Sequence, residues 1–293
     1  MKTRSDNLAV LLAVVDSGSF SRAAEQLNVQ VATVSKAVSR IEAELGASLL
    51  NRTTRRLELT EEGRHFVQRV RQGLKLLEEA EEELDASQGK PRGRLRVDAA
   101  SPFVLHQIVP IVSEFRAQFP AIELELTSSD GIIDLLEKRT DLAIRIGGLS
   151  DSSLHARALG QSPLHLVASP AYLAKRGVPQ HPSELGQHQL LGFVSPAALN
   201  RWPLPGKPQV EPAIRVSSGE TLRQLALAGN GIACLSNFMV AEDLRQGRLV
   251  KVLTQHQVDQ PERQGVNAVF YRHSGLSRRI QAFLDFLQPR LSL

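Results

Sequence analysis

Apolar residues recur at helical spacing through the first 45 residues of the chain. The first stripe follows the i, i+3, i+4, i+7 pattern of an amphipathic helix and consists of Leu8, Leu11, Leu12 and Val15. A second, short stripe consists of Ala23, Ala24 and Leu27, and a third of Val34, Val38, Ile41 and Leu45. The pattern predicts three helices, the second over residues 22–27 and the third over about residues 31–45.

Turn and capping residues separate the second and third helices. Ser19 or Ser21 can cap the second helix, because a hydroxyl accepts a hydrogen bond from a free backbone N–H of the first turn. Asn28 tolerates the left-handed turn conformation, and Gly46 suits the position after the third helix. Two helices joined in this way predict a helix-turn-helix over about residues 19–38.

The outward face of the third helix carries short hydroxyl side chains and two cations. Its members are Thr33, Ser35, Lys36, Ser39 and Arg40. Such a face suits the DNA major groove, because hydroxyls approach bases or phosphates closely and cations neutralise phosphate. Spacing alone also fits an ordinary solvated helix face.

A predicted β-hairpin wing over about residues 50–59 favours DNA binding. Leu57 and Leu59 alternate inward, and the arginines of the segment cluster at its tip. Cations on a wing beside a recognition helix can reach the flanking minor groove or the DNA backbone. The candidate DNA-contacting residues are Ser21, Arg22, Val31, Ala32, Thr33, Ser35, Lys36, Ser39, Arg40, Arg52, Thr53, Arg55 and Arg56.

A long amphipathic helix is predicted after the wing, over residues 61–89. Thr60 can cap it, and Glu61 and Glu62 favour the positive end of the helix dipole. Its apolar stripe consists of Phe66, Val70, Leu74, Leu77 and Leu84. A helix of roughly 27 residues is about 40 Å long, and a stripe of that length needs a partner. An antiparallel helix of a second copy is the economical partner, and the rest of the same chain is the alternative.

From residue 93 the pattern changes to alternating strands and helices. The predicted strands cover residues 95–99, 122–126, 142–146, 164–168, 190–194, 214–217, 232–235 and 266–271. The predicted helices cover residues 108–119, 132–138, 171–175, 221–228, a segment from about 238, and 276–287. This alternation predicts an α/β fold with mostly parallel sheets, in which the last elements return to the first half.

Charge is distributed unevenly along the chain. The 293 residues carry a formal net charge of only +4, but residues 1–75 hold twelve Lys and Arg against eight Asp and Glu. Six acidic residues without a base follow within residues 78–85. A basic head before an acidic connector is typical of a protein that meets phosphate with the head alone.

The apolar run at residues 8–15 resembles a short export signal, but Asp6 and Asp16 bracket it and its periodicity is helical. No stretch approaches the ~18 apolar residues of a membrane span, so we expect a cytoplasmic protein without a membrane partner. The single cysteine, Cys234, excludes an internal disulfide or a thiolate metal cluster. We expect it to be a small buried hydrophobe, with a redox-sensing thiol as the alternative.

Residues 1–60 resemble the DNA-binding domain of LysR-type transcriptional regulators. The resemblance rests on SFSRAAEQL at 19–27, VSKAV at 34–38, IEAELG at 41–46, NRTTRR at 51–56 and LTEEG at 59–63. It continues with DLAIRIG at 141–147, SPAYL at 169–173, SGETL at 218–222 and GNGIA at 229–233, and so covers essentially the whole chain.

The resemblance implies three parts with separate tasks. An all-α winged helix-turn-helix (residues 1–60) would bind DNA, a linker helix (61–89) would dimerise, and an α/β effector domain (90–293) would bind a ligand. The effector domain would have the two-lobed periplasmic-binding-protein-like (type 2) fold. Lobe I would comprise about residues 93–160 and 264–293, and lobe II about residues 161–263.

The resemblance also implies the partners. These are double-stranded DNA at a promoter site with dyad symmetry, a small-molecule effector, and further copies of the chain in a homodimer that the family extends to a tetramer. RNA polymerase is a candidate further partner. No cofactor and no metal are expected.

The start of the third helix departs from the family pattern. The family usually has Ser-Gln followed by Pro or Ser where this chain has Gln30, Val31 and Ala32. The capping serine and a common base-reading glutamine are therefore absent. Contact of Val31 or Ala32 with a thymine methyl group is a candidate substitute.

Ligands of such α/β folds bind at strand ends, between the lobes. The candidate effector-binding residues at these ends are Ser101, Pro102, Ser128, Ser129, Arg145, Gly147, Phe193, Ser195, Ser217 and Gly219. Hydroxyls, backbone N–H groups and one arginine favour a small carboxylate or other anion, with Arg145 as its charge partner. Alternatively, Arg145 pairs with Asp130 or Glu220 and never meets a ligand.

We expect a sequence-specific transcriptional regulator and not an enzyme, because the histidines lack ligand spacing and Ser236 lacks the flanking glycines of a nucleophile elbow. A ligand-independent DNA-binding protein with a vestigial cleft is the alternative. Activation and repression are both open.

Overall fold

The computed structural model describes residues 3–52, 57–86, 90–129, 140–148, 154–271 and 277–293. The chain divides into two compact units, Met1–Ser87 and Gln88–Leu293. Several predictions lie outside the described residues: the helix over 132–138, the start of the last helix, and the wing residues Thr53, Arg55 and Arg56.

The first unit begins with three helices around one core: α1 (Ser5–Ser17), α2 (Phe20–Leu27) and α3 (Val31–Leu45). Ala23 and Ala24 are buried on the inner face of α2, and these small side chains let the neighbouring helices approach closely. The fully buried members of the α3 stripe are Val34, Val38 and Ile41. The prediction for Leu45 was wrong: it is 36% exposed, because the helix ends there and Gly46 turns the chain with a φ of 68°.

The wing and a long helix complete the first unit. Strands β1 (Leu50–Arg52) and β2 (Leu57–Leu59) pair antiparallel. Helix α4 (Glu61–Ala86) follows, and the Thr60 hydroxyl accepts a hydrogen bond from Gly63 N at 2.9 Å, which confirms the predicted cap. The first half of the α4 stripe, Phe66, Val70 and Leu74, packs on the core of the three helices.

The second unit contains two lobes, each built on a five-stranded sheet of described residues. The strands are β3 (Gly93–Ala99), β4 (Ile122–Ser128), β5 (Leu142–Ile146), β6 (Leu154–Gln161), β7 (Leu164–Ala168), β8 (Leu190–Phe193), β9 (Ile214–Val216), β10 (Ile232–Ser236), β11 (Val250–Lys251) and β12 (Gly265–Tyr271). The strand order is β4-β3-β5-β12-β6 in the first sheet and β11-β7-β10-β8-β9 in the second.

Both sheets are mixed, so the prediction of mostly parallel sheets was wrong. Strand β12 runs antiparallel to β5 and β6, and β10 runs antiparallel to β7. The parallel pairs are those of the βαβ units, β3 with β4 and β5, and β8 with β9 and β10. The antiparallel pairs of the first sheet arise because β12 returns to it after the chain has built the second sheet. In the second sheet, β7 runs antiparallel to both of its neighbours, β10 and β11.

The helices of the second unit are α5 (Ser101–Phe103), α6 (Val112–Gln118), α7 (Pro170–Arg176), α8 (Gly219–Leu227), α9 (Asn237–Arg245), α10 (Pro261–Gln264) and α11 (Arg278–Leu287). Short 3-10 helices cover Pro182–Gln187, Ala197–Asn200, Thr254–His256 and Gln288–Arg290. A π-helical turn, Val104–Ile108, and a 3-10 turn, Val109–Ile111, join α5 to α6. The single predicted helix is interrupted because Pro110 has no N–H with which to continue the α-helical ladder.

The two lobes share one hydrophobic core. Phe103 of α5 and Phe238 of α9 meet edge to face, with ring centroids 5.4 Å apart. Leu222 of α8 belongs to the same buried cluster as Leu95 of β3. The Gln107 side chain donates to the Phe238 carbonyl oxygen at 3.1 Å, so the lobes are joined by packing and by a buried hydrogen bond.

Candidate DNA-recognition surface and effector cleft

The turn between α2 and α3 presents the start of α3 to solvent. The Ser19 hydroxyl accepts a hydrogen bond from Arg22 N at 3.5 Å, so Ser19 rather than Ser21 caps α2. Asn28 adopts the predicted left-handed conformation with a φ of 53°. This tight turn allows α3 to begin at Val31, and Ser21 and Arg22 stay exposed beside it.

The outer face of α3 carries the predicted recognition residues. Val31, Ala32, Thr33, Lys36, Ser39 and Arg40 are exposed, and Ser35 is half-buried. Arg40 forms an i,i+4 ion pair with Glu44 at 3.0 Å, so its guanidinium is directed towards the end of the helix. The start of the helix therefore offers mainly apolar and hydroxyl groups, and the cation of Lys36 follows one turn later.

The start of the wing is anchored to α3 by Glu42. Its Oε1 accepts hydrogen bonds from Leu49 N at 2.8 Å and from Leu50 N at 3.2 Å. The Thr60 hydroxyl also donates to the Ser48 carbonyl oxygen at 2.8 Å. These bonds fix the start of the wing relative to α3, which places Arg52 at the end of β1. Sequence analysis missed Glu42, although it lies in the IEAELG motif on which the family resemblance rests.

The effector-site residues of the first lobe gather at the ends of parallel strands. Ala99 and Ser128 lie opposite each other in the pairing of β3 with β4, and Ser129 N donates to the Ala99 carbonyl oxygen at 3.0 Å. Ser101 begins α5 two residues after β3 ends. Ser101, Ser128 and Ser129 therefore lie at one edge of the first sheet, as the strand-end argument predicts.

Arg145 lies on β5 and is directed towards Asp98 of β3. Its Nη1 is 3.9 Å from Asp98 Oδ2, and the Thr127 hydroxyl donates to Asp98 Oδ1 at 2.9 Å. Burial lowers the pKa of the Arg145 guanidinium, and the Asp98 carboxylate only partly offsets this effect. Of the two alternative partners of Arg145, Glu220 binds His106 and Arg223, and Asp130 lies outside the described residues.

In the second lobe, Gly219 meets the first lobe directly. A Cβ atom on Gly219 would lie 3.0 Å from Pro102 Cγ and 3.2 Å from Met239 Cε, so the loop after β9 packs against the start of α5. Ser195 and Ser217 are exposed and Phe193 is half-buried. Gly147 lies instead beside the start of β12, where its N–H donates to the Gly265 carbonyl oxygen at 2.8 Å.

A charged network beside Gly219 was not predicted from sequence. His106 Nε2 of the first lobe lies 2.7 Å from Glu220 Oε2 of α8. Arg223 donates a hydrogen bond to Glu220 at 2.8 Å. It also donates to both carboxylate oxygens of the fully buried Asp243, at 2.6 and 2.9 Å. Arg248 contributes a second ion pair to Asp243 at 2.6 Å.

The pKa of Glu220 reflects this network. Burial alone would raise it, but hydrogen bonds from Gln224 and His106 and the charge of Arg223 outweigh burial and hold the pKa below its ordinary value. Glu220 is therefore ionised at neutral pH and joins the two lobes through His106.

Other chemistry in the described part of the chain is limited. No cluster of three or more His, Cys, Asp or Glu side chains there could hold a metal ion. Cys234 is buried as expected, and burial raises the pKa of its thiol to about 11. None of the described helices is long and apolar enough to span a membrane.

Comparison with known families agrees with this geometry. Residues 5–64 match the family described as "Bacterial regulatory helix-turn-helix protein, lysR family", and residues 88–292 match the "LysR substrate binding domain". The chain belongs to the LysR family of transcriptional regulators. It is a DNA-binding regulator with an effector-binding domain and not an enzyme.

Particular relatives match over nearly the whole length. The HTH-type transcriptional regulator CrgA of Neisseria meningitidis serogroup C is 46% identical, over 99% of this chain and 98% of that protein. An HTH-type transcriptional repressor of Pseudomonas aeruginosa strain UCBPP-PA14 is 37% identical, over 96% of this chain and 90% of the repressor.

Solved structures show the same architecture. The structure of CrgA from Neisseria meningitidis has a TM-score of 0.66 at 44% identity, covering 99% of this chain and 100% of that one. The full-length virulence activator AphB of Vibrio cholerae has a TM-score of 0.61 at 28% identity, covering 99% of this chain and 100% of AphB.

Proposed function

We propose that the chain acts as a homodimer on a promoter site with dyad symmetry, and that a small anionic effector modulates its activity. Residues 1–60 would bind DNA, residues 61–89 would pair the two copies, and residues 90–293 would bind the effector. The exposed outer face of α3 carries the proposal, because its hydroxyls and Lys36 stand clear of the core beside the anchored wing.

Lys36 and the wing arginines would neutralise phosphate, while the first turn of α3 would meet base edges. The proposal is tested by measuring affinity for the promoter site against salt concentration. Lys36→Ala should weaken binding to all DNA sequences alike and reduce the salt slope by about 2, which is about 1 for each copy in the dimer. An unchanged slope would remove Lys36 from the interface.

Dimerisation through α4 is supported by two adjacent leucines. Leu76 is 44% exposed and Leu77 is 57% exposed, whereas the earlier stripe residues are packed on their own helix-turn-helix. A second copy would cover the exposed pair and space two heads for two half-sites. Association of dimers into a tetramer, contact with RNA polymerase and action in the cytoplasm belong to the same proposal.

The effector site is proposed at the strand ends of the first lobe. Ser101, Ser128 and Ser129 share one edge of the sheet, and the half-buried Arg145 lies on the neighbouring strand β5. A carboxylate entering here would find hydroxyls and the guanidinium of Arg145, which also lies 3.9 Å from Asp98.

A thermal-shift screen of small organic acids on the full chain tests the effector site, because ligand binding raises stability by mass action. A hit that is lost in Arg145→Ala supports the anchoring role, and a hit of unchanged affinity refutes it. The contacts of Gly219 with Pro102 and of Glu220 with His106 hold the two lobes together without a ligand. If no acid shifts the melting temperature, these contacts favour the alternative, a DNA-binding protein that acts independently of a ligand.

A further inference from the structure

Two valines at the turn and the start of α3 are exposed and lie outside the core of the first unit. Val29 is 43% exposed and Val31 is 45% exposed. Neither belongs to the buried core of the first unit or to the partly buried residues packed against it. With Ser21, Ala24 and Asn28 they line an open depression between α2 and α3.

Local helix chemistry does not explain a valine at position 31. β-Branched residues lose side-chain freedom in helices and are weak helix formers. The preceding N-cap residue, Gln30, makes no side-chain hydrogen bond to the helix start, although serine, threonine or aspartate would make one there. The start of α3 therefore has neither good capping nor good propensity, so local helix chemistry gives no reason for its apolar surface.

The position of the valines indicates what they contact. In a helix-turn-helix, the N-terminal residues of the second helix reach base edges in the major groove. The apolar group that base pairs display in that groove is the C5-methyl of thymine, whereas the other edge groups are hydrogen-bond donors and acceptors. An exposed valine side chain offers no hydrogen bond and fits only that methyl.

We infer that Val31 is a specificity-determining residue that contacts a thymine C5-methyl group in each half-site, with Val29 widening the same apolar surface. This inference rests on the proposed DNA-contacting surface of α3. It adds a chemical preference: the chain distinguishes thymine from a base that pairs identically but lacks the methyl group.

Deoxyuridine tests the inference, because it removes only the C5-methyl of thymine. A binding site is first selected from random DNA with the full-length protein. Each thymine is then replaced by deoxyuridine symmetrically in both half-sites, and affinity is measured by fluorescence anisotropy at fixed salt. At the one thymine that Val31 contacts, the replacement should weaken binding about fourfold for each half-site, because each half-site loses one buried methyl contact. At the other thymines it should have no such effect.

Variants assign the effect to Val31. In Val31→Ser the affinity for the thymine site should fall by a similar factor, and deoxyuridine should weaken it no further. Val178→Ser is the matched control, because Val178 is 51% exposed but lies in the second unit. It should keep the full thymine preference of the wild-type protein.

Three results would overturn the inference. They are equal affinity for thymine and deoxyuridine at every position, an unchanged thymine preference in Val31→Ser, and loss of the preference in Val29→Ser alone. In all three a specific site is still bound, so the proposed function stands. Failure to select any specific site would instead overturn the proposed function itself and the inference with it.

Discussion

Gly63 shows how a single residue ties the linker helix to the wing. A Cβ atom there would lie 2.1 Å from the Leu49 carbonyl oxygen, a backbone atom that cannot move aside cheaply. The same carbonyl accepts a hydrogen bond from Thr60 N at 3.0 Å. Glycine is therefore required by close approach, although it is a poor helix former.

Gly63→Ala should destabilise the first unit by about 1–3 kcal/mol, because α4 must shift away from the wing. Gly73→Ala in the same helix is the control: its Cβ meets nothing within 4 Å, so it should stabilise by about 0.5–1 kcal/mol. Urea unfolding followed by far-ultraviolet circular dichroism separates the two. Equal midpoints for both variants would show that the close approach has no energetic consequence.

At the residue scale, sequence predicted what local chemistry determines. Caps at Ser19 and Thr60 and the left-handed Asn28 follow from short-range rules and are confirmed. The pairing of Arg145 with Asp98 could not be predicted, because the two residues are 47 positions apart and meet only when β3 pairs with β5. Long-range register decides which acid an arginine meets.

Helices α8 and α9 are joined by charge as well as by packing. Asp243 is fully buried on α9 and both of its oxygens are held by arginines. A buried carboxylate is tolerated only with such complete pairing. The network therefore fixes the two helices that carry the second lobe's side of the shared core.

Asp243→Asn should destabilise the second unit by about 3–5 kcal/mol, because Arg223, which is 9% exposed, keeps Glu220 but loses the carboxylate that binds its guanidinium through two hydrogen bonds. Asp285→Asn is the control, since Asp285 is 67% exposed in its ion pair with Arg157 and should cost at most about 1 kcal/mol. Fluorescence of Trp202, the only tryptophan and fully buried in this unit, reports unfolding. Equal losses of stability in the two variants would show that the burial of Asp243 does not increase the energetic importance of its ion pairs.

The pKa of Glu220 gives the network a pH dependence with a defined sign. Because the folded pKa lies below the ordinary 4.5, its ionisation contributes stability above that pH and the contribution is lost as pH falls through the folded pKa. Glu220→Gln should therefore unfold at a lower urea concentration than the wild-type protein at pH 7, and the difference should vanish in acid, once the pH lies below the folded pKa of Glu220. A difference that persists unchanged in acid would show that charge is not involved.

At the scale of helices and strands, the spacing of apolar residues along the chain predicted helices better than strands. Strand β6 was missed because LHARALGQ buries only Leu159 fully, so it lacks a clean alternation. Strand β11 is two residues long and has too little pattern to detect. The mixed direction of the first sheet follows from β12 crossing back to the first lobe, and no local pattern encodes that return.

At the scale of the whole molecule, the proposed dimer would form through the second half of α4. Leu77→Lys should shift the protein from dimer to monomer, because a lysine at an apolar helix seam leaves a charge without compensation. Sedimentation velocity at micromolar concentration measures the change. Val178→Lys alters an equally exposed residue of the second unit and should leave the dimer intact; a dimeric Leu77→Lys would place the interface elsewhere.

Family, fold class and the location of the recognition helix followed from sequence motifs, because these depend on local pattern. The effector chemistry depends on which side chains converge between two lobes, and Gly219 against Pro102 shows a contact that spans over a hundred residues. Which side chains converge in this way depends on the fold of the whole second unit, so local sequence patterns do not predict it.

The central claim is that the first unit reads a defined DNA sequence, and competition binding tests it most directly. The full-length protein is titrated against its selected dyad site and against random DNA of equal length at one salt concentration. The account predicts a preference for the dyad site of at least about 10³-fold, as specific regulators show. Equal affinity for both DNAs would contradict it.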